Sequence, residues 1–109
     1  MQVSEIQWSK TEKEISRSAF DRAYQREIDS LIQTVTETAK TISDIDQVWQ
    51  LHDFLSAKRH EIDGKYDYQY SSLIFVFARL VREQWLSIDE LEGLEAEKLA
   101  KISALVKML

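Results

Sequence analysis

The sequence predicts an all-α chain, and three observations carry that prediction. Its 109 residues hold no proline and only two glycines, so little interrupts a helix, while Ala, Leu, Glu, Lys, Gln and Arg fill the remaining positions. Apolar residues recur at spacings of three and four. Ser/Thr-x-x-Glu pairs mark helix starts, because the hydroxyl and the carboxylate satisfy each other's backbone N–H groups.

The first helix is expected to follow Ser9, which forms a capping box with Glu12; Thr11 with Glu14 offers an alternative start. From Tyr24 the apolar positions Ile28, Leu31, Val35, Ala39 and Ile42 follow a 4-3-4-4-3 spacing, close to a coiled-coil seam. A break is expected in "TISDID", where Ser43 or Asp44 caps a second helix running toward Gly64, a residue suited to a helix end because it tolerates positive φ. A third helix is placed over about 68–85. Ser87 and Glu90 form another capping box, read as opening a last helix through Leu91, Leu94, Leu99, Ile102, Leu105, Val106 and Leu109. Two long helices bearing seams in so small a chain must fold back as a hairpin or meet a second copy, so a homodimer is expected.

Composition narrows the function. Without cysteine there is no disulfide framework, thiol nucleophile or thiolate metal site. The N-terminus reads neither as a signal peptide nor as a transit peptide, and no apolar run approaches the ~20 residues needed to cross a bilayer; a soluble intracellular protein with no membrane span is expected. A net charge of −5 opposes strong binding to a phosphate backbone, so nucleic acid is not an expected partner.

The second helix carries the chemistry. Ile45, Val48, His52, Leu55, Arg59, Ile62 and Tyr66 alternate by three and four, which puts His52 and Arg59 at seam positions where apolar residues are expected. At about 100° per residue, Val48, Leu51, Phe54, Leu55 and Ile62 form a packing face, and Trp49, His52, Asp53, Ser56, Arg59, His60 and Asp63 fall in a second arc of roughly 120°. His52 and His60 stand about 12 Å apart along the axis, too far for one metal ion. His52-Asp53 resembles the dipeptide of metal-dependent phosphohydrolases, but those sites need further histidines and this chain has only two. HExxH, a glycine-rich phosphate loop and GxSxG are absent as well. Trp, Arg and His beside Asp are instead residue types that dominate protein contacts. A network of Trp49, His52, Asp53 and Arg59 internal to the dimer has nearly equal claim, and both readings can hold together.

In the third helix, Tyr70, Leu73, Ile74, Val76, Phe77, Ala78, Leu80, Val81 and Trp85 fill a wide apolar arc that Phe75 does not join. On the wheel Phe75 sits with Ser71, Ser72, Arg79 and Arg82, which suits a contact residue as well as an isolated exposed aromatic. Tyr66, Tyr68 and Tyr70 receive no role. Lys98, Lys101 and Lys107 read as a solvated face usable against an acidic partner.

The stretches "AYQREIDSLI", "WQLHDFLSAKRHEIDGKYD" and "FVFARL" together resemble the cyanobacterial fluorescence recovery protein family. Trp49 to Asp67 is the most specific part, and the likeness spans nearly the whole chain. The resemblance implies one helical domain over 1–109, with a stalk over about 9–63, a head over about 66–109 and an antiparallel homodimer formed through the long helices. It implies a non-enzymatic regulator of photoprotection with no catalytic residue, metal, cofactor or small-molecule substrate. Its implied partner is the photoactivated red form of the orange carotenoid protein, chiefly the C-terminal domain. The implied action speeds that partner's return to the orange form and its detachment from the phycobilisome, ending non-photochemical quenching.

By position, Trp49, His52, Asp53 and Arg59 match the family's central patch, with Arg59 foremost for activity. Val48, Trp49, His52 and Leu55 match the dimer interface, and Phe75 and Lys101 match head positions tied to partner binding. The implied location is the cytoplasm, free or peripheral at the cytoplasmic side of the thylakoid membrane. The chain departs from the family pattern in "YQYSS" and "REQWL". The competing class is a helical homodimeric adaptor for another regulatory protein.

Overall fold

A computed structural model of the chain describes residues 7–109. The capping boxes set where the long helices begin. Ser9 Oγ accepts the Glu12 N–H at 3.1 Å, and the Glu12 carboxylate accepts the Ser9 N–H at 3.0 Å, so α1 runs Lys10–Lys40 and the Thr11–Glu14 pair lies inside it. Asp44, rather than Ser43, caps α2, which runs Ile45–Lys65. Its carboxylate accepts the Gln47 N–H at 2.9 Å.

The ends of the helices differ from the sequence expectation. Gly64 is an ordinary residue within α2, and the chain leaves the helix at Tyr66, whose N–H still donates to the Ile62 carbonyl at 3.1 Å. The helix is held beyond the glycine because Lys65 and Tyr66 both bond to α1. The third helix, α3, is shorter than expected and spans Leu73–Arg82. Before it, Tyr66, Tyr68 and Tyr70 lie along α1: Phe20 meets the rings of Tyr66 and Tyr68 at 5.4 and 4.9 Å, and Trp8 meets Tyr70 at 5.9 Å. The segment repeats every two residues because the Asp67 N–H donates to Lys65 O and the Gln69 N–H to Asp67 O, both at 3.0 Å, successive tight turns of the γ type.

After α3, Gln84 takes φ 68°. Its N–H donates to Val81 O at 3.0 Å and the Trp85 N–H to Leu80 O at 2.9 Å. This is a Schellman closure with glutamine where glycine is usual. The Ser87–Glu90 capping box forms, but it opens only a 3-10 turn, Ile88–Leu91. Gly93, at φ 106°, then turns the chain where a Cβ would strike the Ile15 side chain. Only after this turn does α4 begin, Ala96–Met108. At its start the Glu95 N–H is accepted by the Glu12 carboxylate of α1 at 3.0 Å.

The four helices form a stalk and a head in a body 58 × 29 × 24 Å across. Buried residues of α1 stop at Glu27, and those of α2 start at Ile62. The stalk is therefore a two-helix hairpin without a buried interior. The head packs Leu73, Phe77 and Leu80 of α3 and Ile102 of α4 against Phe20 and Ala23 from the first half of α1.

Lys98 corrects the reading of a solvated lysine face. It is buried, and its ammonium donates to the Gln7 carbonyl at 2.6 Å, to both Glu12 oxygens at 3.0 Å and to Glu95 at 2.9 Å. Its spacing to Ile102 and Leu105 places it in the apolar seam of α4, four residues after the buried Leu94 that precedes the helix. Burial pushes the Glu12 carboxyl up, but the Glu95 and Ser9 N–H groups and the Lys98 ammonium outweigh it and hold it below its ordinary value.

Candidate functional site

The α2 arc singled out in the sequence is displayed on the outside of the stalk. Trp49 is 56% exposed, and His52, Asp53, Ser56, Arg59, His60 and Asp63 are all exposed. Helical spacing organises them locally. His52 Nδ1 lies 3.2 Å from Asp53 Oδ1, and the Trp49 ring stands edge-on to the His52 ring at 6.2 Å. Arg59 Nε lies 3.8 Å from Asp63 Oδ2, one turn away, and its side chain is 86% exposed. Trp49, His52 and Asp53 thus form one cluster. Arg59 stands about 10 Å further along the axis from His52, so the structure does not bring the four into a single contact.

Arg59 borders an open depression of about 350 Å³ between α1 and α2, walled by Tyr24, Ile28, Leu31, Leu55 and Ile62. Val48 is exposed and Leu55 is half-buried. The apolar seam of the hairpin is therefore open to solvent in a single chain. Ile32 and Ile45 add to that open apolar surface.

On the head, Phe75 is 64% exposed while Ile74, Val76 and Phe77 beside it are buried. The helical wheel separated it from the core for the right reason, and Ser71 shares its depression as the wheel has it, but the two arginines are engaged elsewhere. Arg79 is turned to Glu83 at 2.8 Å and to Glu61 at 3.6 Å, and Arg82 donates to the Leu109 carbonyl at 3.1 Å. Lys101 comes across from α4 instead. Phe75 and Lys101, 26 residues apart in sequence, line the same open depression of about 370 Å³ with Ser71, Ile74, Ala104 and Leu105. Lys101 is half exposed and its ammonium lies 3.4 Å from the more exposed Glu97, an exchangeable surface pair.

Sequence reasoning missed the buried charges, although a signal for them exists. Glu27 follows Ser16, Phe20 and Ala23 at seam spacing, just as Lys98 follows Leu94, and a charge at such a position implies a partner on a neighbouring helix. Among the described residues no cluster of three or more His, Cys, Asp or Glu side chains is arranged to hold a metal ion. No helix there is long and apolar enough to cross a membrane.

The structure is that of an all-helical protein with an elongated hairpin and with aromatic and cationic side chains displayed on open surfaces. The chain belongs to the photoprotection regulator fluorescence recovery protein family, which it matches over residues 8–106. It is 50% identical over 108 residues to the fluorescence recovery protein of Synechocystis sp. PCC 6803, covering 99% of each chain. The solved fluorescence recovery protein of Fremyella diplosiphon is similar at 56% identity and a TM-score of 0.92, over 94% of this chain and 100% of that one. The solved Synechocystis protein is similar at a TM-score of 0.90, over 93% and 99% of the respective chains. The family is one of photoprotection regulators.

Proposed function

We propose that the protein binds the photoactivated, red form of the orange carotenoid protein, chiefly its C-terminal domain, and accelerates its reversion to the orange form. Detachment of that partner from the phycobilisome follows, and antenna fluorescence recovers. Membership of a family of photoprotection regulators supports this reading. The observation that carries it is Phe75, a large aromatic turned away from the core and lining the same open depression as Lys101. An exposed aromatic next to a cation suits a partner that offers an apolar side chain flanked by a carboxylate.

On this reading the working unit is a homodimer joined through the stalk, with Val48, Trp49, His52 and Leu55 at the interface. The open hairpin seam supports it, since an apolar stripe of this length is stable in water when a second stripe covers it. Trp49, His52 and Asp53 lie beside that seam, and Arg59 extends the patch toward the head.

No covalent bond changes in the proposed action. A ligand shifts a conformational equilibrium only through differential affinity, and it speeds the change only by binding the barrier state more tightly than the starting state. Arg59 and Lys101 grip partner carboxylates while Phe75 occupies an apolar recess, and contacts that tighten as the partner's two domains close lower the barrier. Phe75→Glu and Arg59→Leu variants should remain dimeric and lose most of the acceleration of recovery, followed as loss of red-form absorbance in the dark. Dimeric variants with undiminished activity would sink this reading and favour a helical adaptor for another regulator.

A further inference from the structure

Six charged side chains close a ring where α1, α2 and α3 meet. Glu27 contacts Lys65 at 2.7 Å, Lys65 contacts Glu83 at 2.7 Å, and Glu83 contacts Arg79 at 2.8 Å. Arg79 then reaches Glu61 at 3.6 Å, Glu61 reaches Lys58 at 3.3 Å, and Lys58 returns to Glu27 at 3.8 Å. The signs alternate all the way round. Lys65 and Glu27 lie fully out of solvent, Tyr66 Oη donates to Glu27 at 2.8 Å, and the other four members are partly exposed.

Stability alone does not explain this arrangement, because a buried ion pair is often no better than an apolar pair of the same volume. Charge-assisted hydrogen bonds do fix direction and distance more tightly than apolar contact. The ring also carries much of the junction: among the described residues, Ile62 is the one buried apolar side chain that α2 contributes. Its location is suggestive as well. Lys58 precedes Arg59 of the stalk patch, and Arg79 stands one helical turn after Phe75 of the head surface.

We propose that Lys65 is a positioning residue, which through this ring fixes the angle between head and stalk so that the Arg59 patch and the Phe75–Lys101 surface engage one partner molecule together. This rests on the two-surface reading above. Two contacts held at a matching span act with a high effective concentration for each other, and a loose junction forfeits that gain while leaving each contact intact.

The test uses the full chain in two variants. Lys65→Met with Glu27→Gln removes the buried pair without stranding a charge, and Arg79→Gln opens the exposed half of the ring should the first variant fold poorly. Recovery of the photoactivated carotenoid protein is titrated with each variant, alone and combined with Phe75→Ala. The expected loss of apparent affinity is about tenfold with Phe75 present, part of the hundredfold or more that joint engagement supplies. Once Phe75 is gone the further loss should fall below about twofold, because one remaining contact needs no set angle.

Equal losses in both backgrounds, as general destabilisation would give, overturn the proposal; so does full activity of both ring variants. If Phe75→Ala alone changes nothing, the two-surface reading itself fails. Spin labels at Lys40 and Lys107 supply an independent readout, with a broader distance distribution expected in the ring variants and an unchanged width contradicting the proposal.

Discussion

Gly64 lies inside α2 with nothing within 4 Å of the place a Cβ would occupy, whereas Gln84 holds φ 68° at the end of α3. Each residue stands where the other's backbone preference would serve better. Gly64→Ala should stabilise the protein by about 0.5–1 kcal/mol by reducing the freedom of the unfolded chain. Gln84→Gly should stabilise it by about 1 kcal/mol by relieving a left-handed residue that carries a Cβ. Thermal unfolding checks both, and a lowered midpoint in either variant would contradict the backbone assignment. The same pair explains where sequence reading failed locally. Glycine is the usual signal of a helix end, and here the signal and the end fall on different residues. By contrast, the exposure of Phe75 was legible because burial on a ten-residue helix follows the 100° wheel, while Lys101 was named with it through the family resemblance alone, since only the packing of α3 on α4 brings the two to one depression.

Helix starts were legible at the level of elements because a capping box is local chemistry. Ser9–Glu12 begins a helix as read, and Ser87–Glu90 forms as read yet opens only one 3-10 turn. Long-range bonds decide the second case. The carboxylate of Glu90 is shared between the Ser87 N–H at 2.8 Å and the guanidiniums of Arg26 and Arg22 on α1, which ties the turn to α1 before α4 can start. The Arg26 hydrogen bond, first among several causes, holds the Glu90 carboxyl down at about 2, against an ordinary 4.5. A depressed carboxyl contributes stability that is fully present above its unfolded value and is lost as pH falls from about 4.5 toward 2. Glu83 and Glu12 are also held low, so they lose stability in the same direction. Denaturant unfolding across that range should therefore show a shallower acid decline in Glu90→Gln than in the parent, together with lower stability at pH 7. Parallel curves would mean that Arg26 and Glu90 are not paired in solution.

As a whole molecule, the chain gives the first half of α1 and one face each of α3 and α4 to a head interior and leaves the hairpin without one. The seam spacing made this asymmetry readable in outline, since an unbroken three-four alternation needs a second surface. The ring that joins the parts escaped notice because charges 18 and 38 residues apart meet only after folding. If the stalk seam is closed by a second copy, Val48→Glu should shift the protein to monomer in sedimentation experiments at micromolar concentration while its helical circular dichroism persists. A dimer that survives this change would move the interface elsewhere on the stalk. The action proposed for the whole molecule is conformational catalysis on a carotenoid-binding partner. Its most direct test is the dark decay of photoactivated orange carotenoid protein, followed by absorbance with this protein at one tenth of the partner's concentration. With turnover, the whole red population should decay faster, each regulator molecule serving many partners in turn. A decay unchanged across carotenoid proteins of several lineages, with the added protein folded and dimeric, would contradict it.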